Sequence, residues 1–180
     1  MHSLRSQGFV TACGKTRYAG SAGDPAARRF LVSYNFRIAR PSDICRCIAI
    51  RARTRENAVS EAELAQRGVT EASWRKDVEN GLLKGHVCEV DEDVVGYCFA
   101  DQTTGEIVVL ALLPSHEFKG IGKALISLVT DDLRGRGFKR IFLECTADPN
   151  ARSYGFYRHL GWVPNGVRAG NGDEVLELIL

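Results

Sequence analysis

Nothing in the 180 residues approaches the roughly 20 consecutive apolar residues that a bilayer-spanning helix needs. A membrane-spanning helix is therefore not expected, and no membrane partner follows. A marked excess of either charge is also missing. The 24 Lys and Arg stand against 22 Asp and Glu, a net charge of +2, and no dense basic cluster marks a nucleic-acid footprint. Cys-x-x-Cys spacing is absent among the six cysteines Cys13, Cys45, Cys47, Cys88, Cys98 and Cys145, so neither a metal site nor a dithiol redox site is expected. These cysteines read as reduced thiols, mostly buried as small hydrophobes, of a cytoplasmic protein. Internal repeats are absent as well. What remains is an ordinary globular composition, long enough for one domain with a sizeable core.

Residues 1–30 differ from the rest. They are rich in Gly, Ala, Ser and Arg and hold one acid, Asp24. They read as a flexible N-terminal extension; their basic, acid-poor character also fits a transit peptide, whereas a secretory signal would need a longer apolar core. The folded domain is expected over residues 31–180.

Regular patterning begins after Ser33. Tyr34 to Ile38 alternates as a strand does. Pro41-Ser42-Asp43 opens a helix, with Ser42 or Asp43 as its cap. Ser60 and Glu63 have capping-box spacing, and Gly68 should close the helix they open. A helix from Thr70 places Trp74, Val78 and Leu82 on one face. Three strands follow, His86 to Val90, Val94 to Ala100 and Glu106 to Leu113, with turns at Asp91-Glu92-Asp93 and Thr103-Thr104-Gly105. A helix from about Gly122 to Arg136 carries Leu125, Leu128, Val129 and Leu133 on one face. Arg140 to Cys145 is a strand, Asn150 caps a helix that stops at Gly161, and Trp162-Val163 and Glu174 to Leu180 are the last strands. This order implies an α/β fold, a mixed sheet with helices on both faces.

The most informative stretch runs from Glu106 to Leu125. A buried strand leads through a short turn to Gly120 and Gly122, and then to a helix. Glycine lets the backbone approach a ligand closely. The free N–H groups and the dipole at a helix start favour an anion, so the segment reads as a pyrophosphate cradle. About thirty residues on, a second segment carries Asn150, Ser153, Phe156, Tyr157, Gly161 and Trp162 in fixed spacing.

Together the two segments resemble the GCN5-related N-acetyltransferase (GNAT) superfamily. Its cofactor motif, (Gln/Arg)-x-x-Gly-x-(Gly/Ala), reads here Glu117-Phe118-Lys119-Gly120-Ile121-Gly122, and its Asn-x-x-Ala-x-x-Leu-Tyr-x-x-x-Gly-Phe frame falls on residues 150–162. The resemblance covers roughly residues 33–180. It implies an acetyl-CoA-binding fold whose central sheet is splayed between the strand ending at Leu113 and the strand Ile141 to Cys145. It further implies that Phe118, Lys119, Gly120, Ile121 and Gly122 meet the pyrophosphate, with Lys123 adding charge. Leu110, Leu112 and Leu113 would line the pantetheine arm, and Asn150 and Tyr157 would complete the cofactor site. Glu117 departs from the family pattern, because a carboxylate there should repel the phosphates.

Two residues are catalytic candidates. Tyr157 stands where many family members place a tyrosine that protonates the departing thiolate; Tyr154 is its competitor. Glu106, fourteen residues before Gly120, matches the spacing of the catalytic glutamate in the histone-acetyltransferase branch. A base is needed because an alkyl ammonium of pKa near 10.4 is only about 0.04% free amine at pH 7. Glu144 and His116, the latter an exposed turn residue by its position, are the other candidates. Residues 53–74 would wall the acceptor site, with acids Glu56, Glu61, Glu63 and Glu71 among several arginines. The expected activity is acyl transfer, foremost acetyl, from acetyl-CoA to a small-molecule amine by direct attack. A protein or peptide acetyltransferase and a non-catalytic acyl-CoA-binding module are the alternatives. Edge strands leave room for a homodimer.

Overall fold

A computed structural model describes residues 32–180; the expectation for residues 1–30 lies outside the described residues. The order is β1 (Asn35–Ile38), α1 (Ile44–Arg51), α2 (Glu61–Gln66), α3 (Glu71–Glu79), β2 (Leu83–Val90), β3 (Asp93–Asp101), β4 (Ile107–Leu112), α4 (Ile121–Gly135), β5 (Arg140–Cys145), α5 (Arg152–His159), β6 (Val163–Arg168) and β7 (Glu174–Ile179). Strands β1-β2-β3-β4 form one antiparallel sheet and β5-β7-β6 another. Among the described residues a single parallel bridge, Glu106 to Phe142, joins the two, where the Phe142 N–H donates to the Gly105 carbonyl at 3.3 Å. Beyond that point β4 and β5 run in the same direction without a ladder between them. The splay that the family resemblance implies is present.

Both faces of the first sheet are covered. Every residue of β3 from Val94 to Ala100 is buried, which a one-sided sheet would not produce. On one face Trp74 of α3 packs edge-on against Tyr97 and Phe99, with ring centroids 5.9 and 5.4 Å away. On the other, His86, paired with Cys98, meets Asp132 of α4 at 2.8 Å. The stripe Leu125, Val129 and Leu133, spaced by four, buries α4 against the sheet together with Ile121 and Ile126.

Local signals explain most boundaries. The Ser60 hydroxyl accepts from the Glu63 N–H at 3.2 Å, and the Glu63 carboxylate accepts from the Ser60 N–H at 2.8 Å. Asp91 and Glu92 both have positive φ, the signature of the tight turn joining β2 to β3. The Asp101 carboxylate accepts from the Thr103 and Thr104 N–H groups, closing the turn that delivers Glu106 to the start of β4.

Several expectations need correction. Leu82 lies beyond the end of α3 and is exposed, because the helix stops before Gly81, which takes positive φ. Asp43 does not cap α1 with its side chain. Its carboxylate instead accepts from the Arg40 N–H at 2.7 Å and binds Arg37, which also binds Glu89 on β2. Asn150 does not cap α5 either: its side chain turns to Asp148 at 3.0 Å, and α5 begins after Ala151. Cys45, Cys47, Cys88, Cys98 and Cys145 are free thiols, and the described residues contain no metal-holding cluster and no helix long and apolar enough to cross a membrane.

Candidate active site

The gap between β4 and β5 is the feature around which the expected residues gather. Glu106 stands at its hydrogen-bonded end. At the other end the chain leaves β4, makes a short 3-10 turn from Pro114 to His116, and enters α4. Gly120 caps that helix with φ of +78°, and a Cβ built there would meet nothing within 4 Å, so the space before the helix is open. Phe118 also has positive φ and is 86% exposed. Such a conformation costs a non-glycine residue about 1–2 kcal/mol, which marks the loop as shaped for something other than its own stability. Gly122 has a different task. A Cβ there would lie 3.5 Å from Phe156 and 3.7 Å from Leu112, ordinary van der Waals contacts, so Gly122 marks where α4 faces α5 and β4 without being required by the packing.

Ladder geometry fixes which N–H groups of β4 face the gap. The Leu113 N–H donates to the Val95 carbonyl of β3 at 2.9 Å. In an antiparallel pair the bonded positions alternate, so with Leu112 opposite Gly96 and Leu110 opposite Cys98 their N–H groups point away from β3, towards β5. Leu110 and Leu112 therefore present donors to the gap. At Leu113 the N–H is already used, and the carbonyl accepts from the His116 N–H.

Glu106 is half-buried, and no side-chain hydrogen bond engages its carboxylate among the described residues. Burial, then the nearby Glu144 and Asp101 carboxylates, raise its pKa above the ordinary value of 4.5. Glu144 is on β5, across the gap, and exposed. His116 is not the exposed turn residue its position suggests. It is half-buried, edge-on to Tyr34 at 6.1 Å, with Nδ1 buried and unpartnered, and burial lowers its pKa.

Tyr157 lies on α5 between Phe156 and Trp162, with centroids 5.1 and 6.1 Å away. Burial and the proximity of Cys98 on β3 and Cys145 on β5 push its hydroxyl well above the usual tyrosine value. It therefore keeps its proton at any working pH. Tyr154 is instead covered by the Arg158 guanidinium, 3.6 Å above its ring. Around the loop, Lys119 turns back to the Ser115 carbonyl at 2.9 Å, Lys123 is exposed, and Asn150 is exposed beside Asp148.

The departure at Glu117 resolves in an unexpected way. Its side chain is only 8% exposed, and its Oε2 lies 2.9 Å from Arg55 Nε and 2.6 Å from Arg152 Nη1. Burial pushes the carboxyl up, but the two guanidiniums outweigh it and hold the group below its ordinary value. Arg55 comes from the α1–α2 loop and Arg152 opens α5, so the residue pattern near position 117 carries no sign of either. Arg152 also lies 4.5 Å over the Phe118 ring. Its N–H donates to the Glu56 carboxylate at 3.0 Å. Glu56, Glu63 and Glu71 of the expected acceptor wall thus have structural partners: the Arg152 N–H, Ser60 and Arg75. A separate cavity of about 380 Å³, lined by Lys84, Gly85, Gln102, Asp132 and Arg136 among others, holds none of the expected site residues.

A splayed pair of neighbouring strands, with a glycine-led helix at the open end, defines the N-acetyltransferase class of α/β proteins. The chain belongs to the acetyltransferase (GNAT) family, whose model matches residues 47–162. It is 30% identical over 156 residues to an uncharacterized ycf52-like N-acetyltransferase of Prochlorococcus marinus, covering 76% of this chain and 84% of that protein. It is 40% identical over 72 residues to the mycothiol acetyltransferase of Beutenbergia cavernae, a match spanning 40% of this chain but only 24% of that protein. The PaiA N-acetyltransferase of Thermoplasma acidophilum, solved with coenzyme A, superposes with a TM-score of 0.69 at 17% identity over 82% of this chain and 99% of that one. A phosphinothricin acetyltransferase of Sinorhizobium meliloti, solved with acetyl-CoA, gives 0.59 at 24% identity over 82% and 88%. These two likenesses concern the fold.

Proposed function

We propose that the protein transfers an acetyl group from acetyl-CoA to the primary amine of a small molecule, by direct attack in a ternary complex. The observation that carries this reading is the β4–β5 gap, with Glu106 at its paired end, gap-facing Leu110 and Leu112 donors along it, and the Gly120 helix start at its open end. These residues fit the parts of acetyl-CoA. The helix start and the Phe118–Gly122 backbone suit the diphosphate, with Lys123 exposed beside them. The Leu110 and Leu112 N–H groups suit the pantetheine arm and the thioester carbonyl, where they would steady the oxyanion of the tetrahedral intermediate.

Glu106 takes the proton from the ammonium, directly or through water. Its raised pKa supports the role, since a base works best with a pKa nearer the working pH. Once the intermediate collapses, the C–S bond breaks and the sulfur leaves as a thiolate. Tyr157 donates a hydrogen bond to that thiolate. With a pKa above that of a thiol near 8.5, it stabilises the leaving group without having to surrender its proton fully.

A small acceptor is favoured because three of the four wall acids, Glu56, Glu63 and Glu71, are committed within the fold, leaving Glu61 alone rather than an acidic tract to bind a basic peptide. One relative is named for mycothiol rather than for a protein. The described free thiols support a reducing, cytoplasmic setting. The test is a panel of amines and peptides with acetyl-CoA, read by release of free coenzyme thiol. Turnover with small amines supports the proposal, turnover with peptides alone moves the acceptor to a protein, and coenzyme binding without thiol release leaves a binding module.

A further inference from the structure

We propose that Arg55 and Arg152, held by the Glu117 carboxylate, form a phosphate clamp for the coenzyme that takes the place of the Gln or Arg side chain expected at position 117. The inference rests on the coenzyme reading above and assigns to it three residues from separate parts of the chain.

Two exposed guanidiniums converge on one carboxylate oxygen of a side chain that is itself nearly covered. A solvated surface pair would be worth little and would leave the acid accessible. Here the acid is the anchor, and the arginines, 54% and 42% exposed, are the accessible part. Arg55 spends its Nε on Glu117, and its two terminal nitrogens have no partner among the described residues. Arg152 spends one terminal nitrogen and keeps the rest. Its position is fixed from three sides, by Glu117, by the Phe118 ring and through its own N–H by Glu56. The trio carries a net charge of +1 beside the loop that leads to Gly120, where the open space before the helix lies. Unspent N–H donors held in place by a buried acid are what an arginine needs to bind a phosphate without first losing conformational freedom. Glu117 is then a positioning residue. Its negative charge is neutralised twice over, so the repulsion expected from its place in the motif does not arise.

The test is calorimetric titration of coenzyme A into the wild type and the variants Arg55→Gln, Arg152→Gln and Glu117→Gln, at low and high salt. Each arginine variant is expected to weaken binding about tenfold and to flatten the salt dependence, because a charge-assisted phosphate contact is lost. Glu117→Gln is expected to weaken binding severalfold by releasing both arginines. A carboxylate that merely opposed the phosphates would instead give tighter binding on removal. Tighter or unchanged binding in Glu117→Gln, or wild-type affinity in both arginine variants, overturns the clamp. Should a single arginine variant fail to fold with the acid left buried, the triple variant Arg55→Gln, Glu117→Gln, Arg152→Gln removes all three charges together. Wild-type affinity in that variant equally overturns the clamp, and weakening of tenfold or more supports it. A wild type that binds no coenzyme A at all would overturn the coenzyme reading and the clamp with it, whereas wild-type binding indifferent to these variants overturns the clamp alone.

Discussion

Gly120→Asp asks whether the start of α4 receives phosphate. The backbone there is left-handed, and the new side chain would enter open space. The conformation costs a non-glycine residue about 1–2 kcal/mol, and an acid at a helix N-terminus returns about 0.3–1 kcal/mol, so the variant should fold. With coenzyme bound the balance changes. A carboxylate about 5 Å from one phosphate charge is repelled by about 3 kcal/mol at an effective dielectric of about 20, and salt screening removes part of this. A net penalty of about 1.5–3 kcal/mol corresponds to a Kd raised roughly 10- to 100-fold. Gly120→Ala is the control: it carries the same backbone cost without the charge, so its Kd should stay within about fivefold of the wild type. Calorimetry with coenzyme A, after a melting curve has established folding, reads both. Unchanged affinity in folded Gly120→Asp would refute the assignment, and equal losses in the Ala and Asp variants would show that charge is not the cause.

Glu106→Gln should lower the rate about a hundredfold near neutral pH and recover as pH approaches the amine's own pKa; a deficit flat across the pH–rate profile would reject the base role. The acid limb of the wild-type kcat/KM profile should lie above the ordinary carboxylate value, because burial and Glu144 raise Glu106. Tyr157→Phe should lower kcat while the Kd for coenzyme A holds, with no change on the alkaline side, since the hydroxyl stays protonated there. A raised Kd with kcat intact would make Tyr157 a binding residue instead. Asp43→Asn concerns stability. Burial raises the Asp43 carboxyl, but Arg37 and the Arg40 N–H outweigh it and hold the group below 3.8. Its contribution is therefore present above that value and lost as pH falls through the lower folded value. Denaturant titration should show the variant about 1.5–3 kcal/mol less stable at pH 7, with the gap closing in acid below 3.8; a gap constant with pH would separate the loss from the charge.

Features that depend on neighbours along the chain were legible in the sequence, because their physics is local. The Ser60–Glu63 capping box needs only a spacing of three. The Leu125–Val129–Leu133 stripe needs only the helical period. The order of strand, turn, glycine and helix from Glu106 to Gly122 needs only residue types that make those elements. Those local signals, read with the Asn150 to Trp162 frame, carried the fold class and the family.

The tertiary structure decided what depends on groups meeting from afar. Glu117 read alone is an anion in the wrong place, and only folding brings Arg55 to it from 62 residues upstream. The direction of each β4 N–H follows from the register with β3, which no run of leucines encodes, so only the fold shows that the Leu113 N–H is spent on Val95 while those of Leu110 and Leu112 face the gap. Asn150 and Asp43 had the residue types of helix caps. Asp148 and Arg37 engage their side chains instead: the Asn150 amide donates to the Asp148 carboxylate and the Asp43 carboxylate accepts from Arg37, since a polar side chain goes to whichever partner the fold presents. Glu106 was a candidate base from its place in the chain, whereas its raised pKa exists only because folding half-buries it beside Glu144 across the gap. Periodicity and spacing are written along the chain; desolvation and charge pairing arise only when distant segments exclude water together.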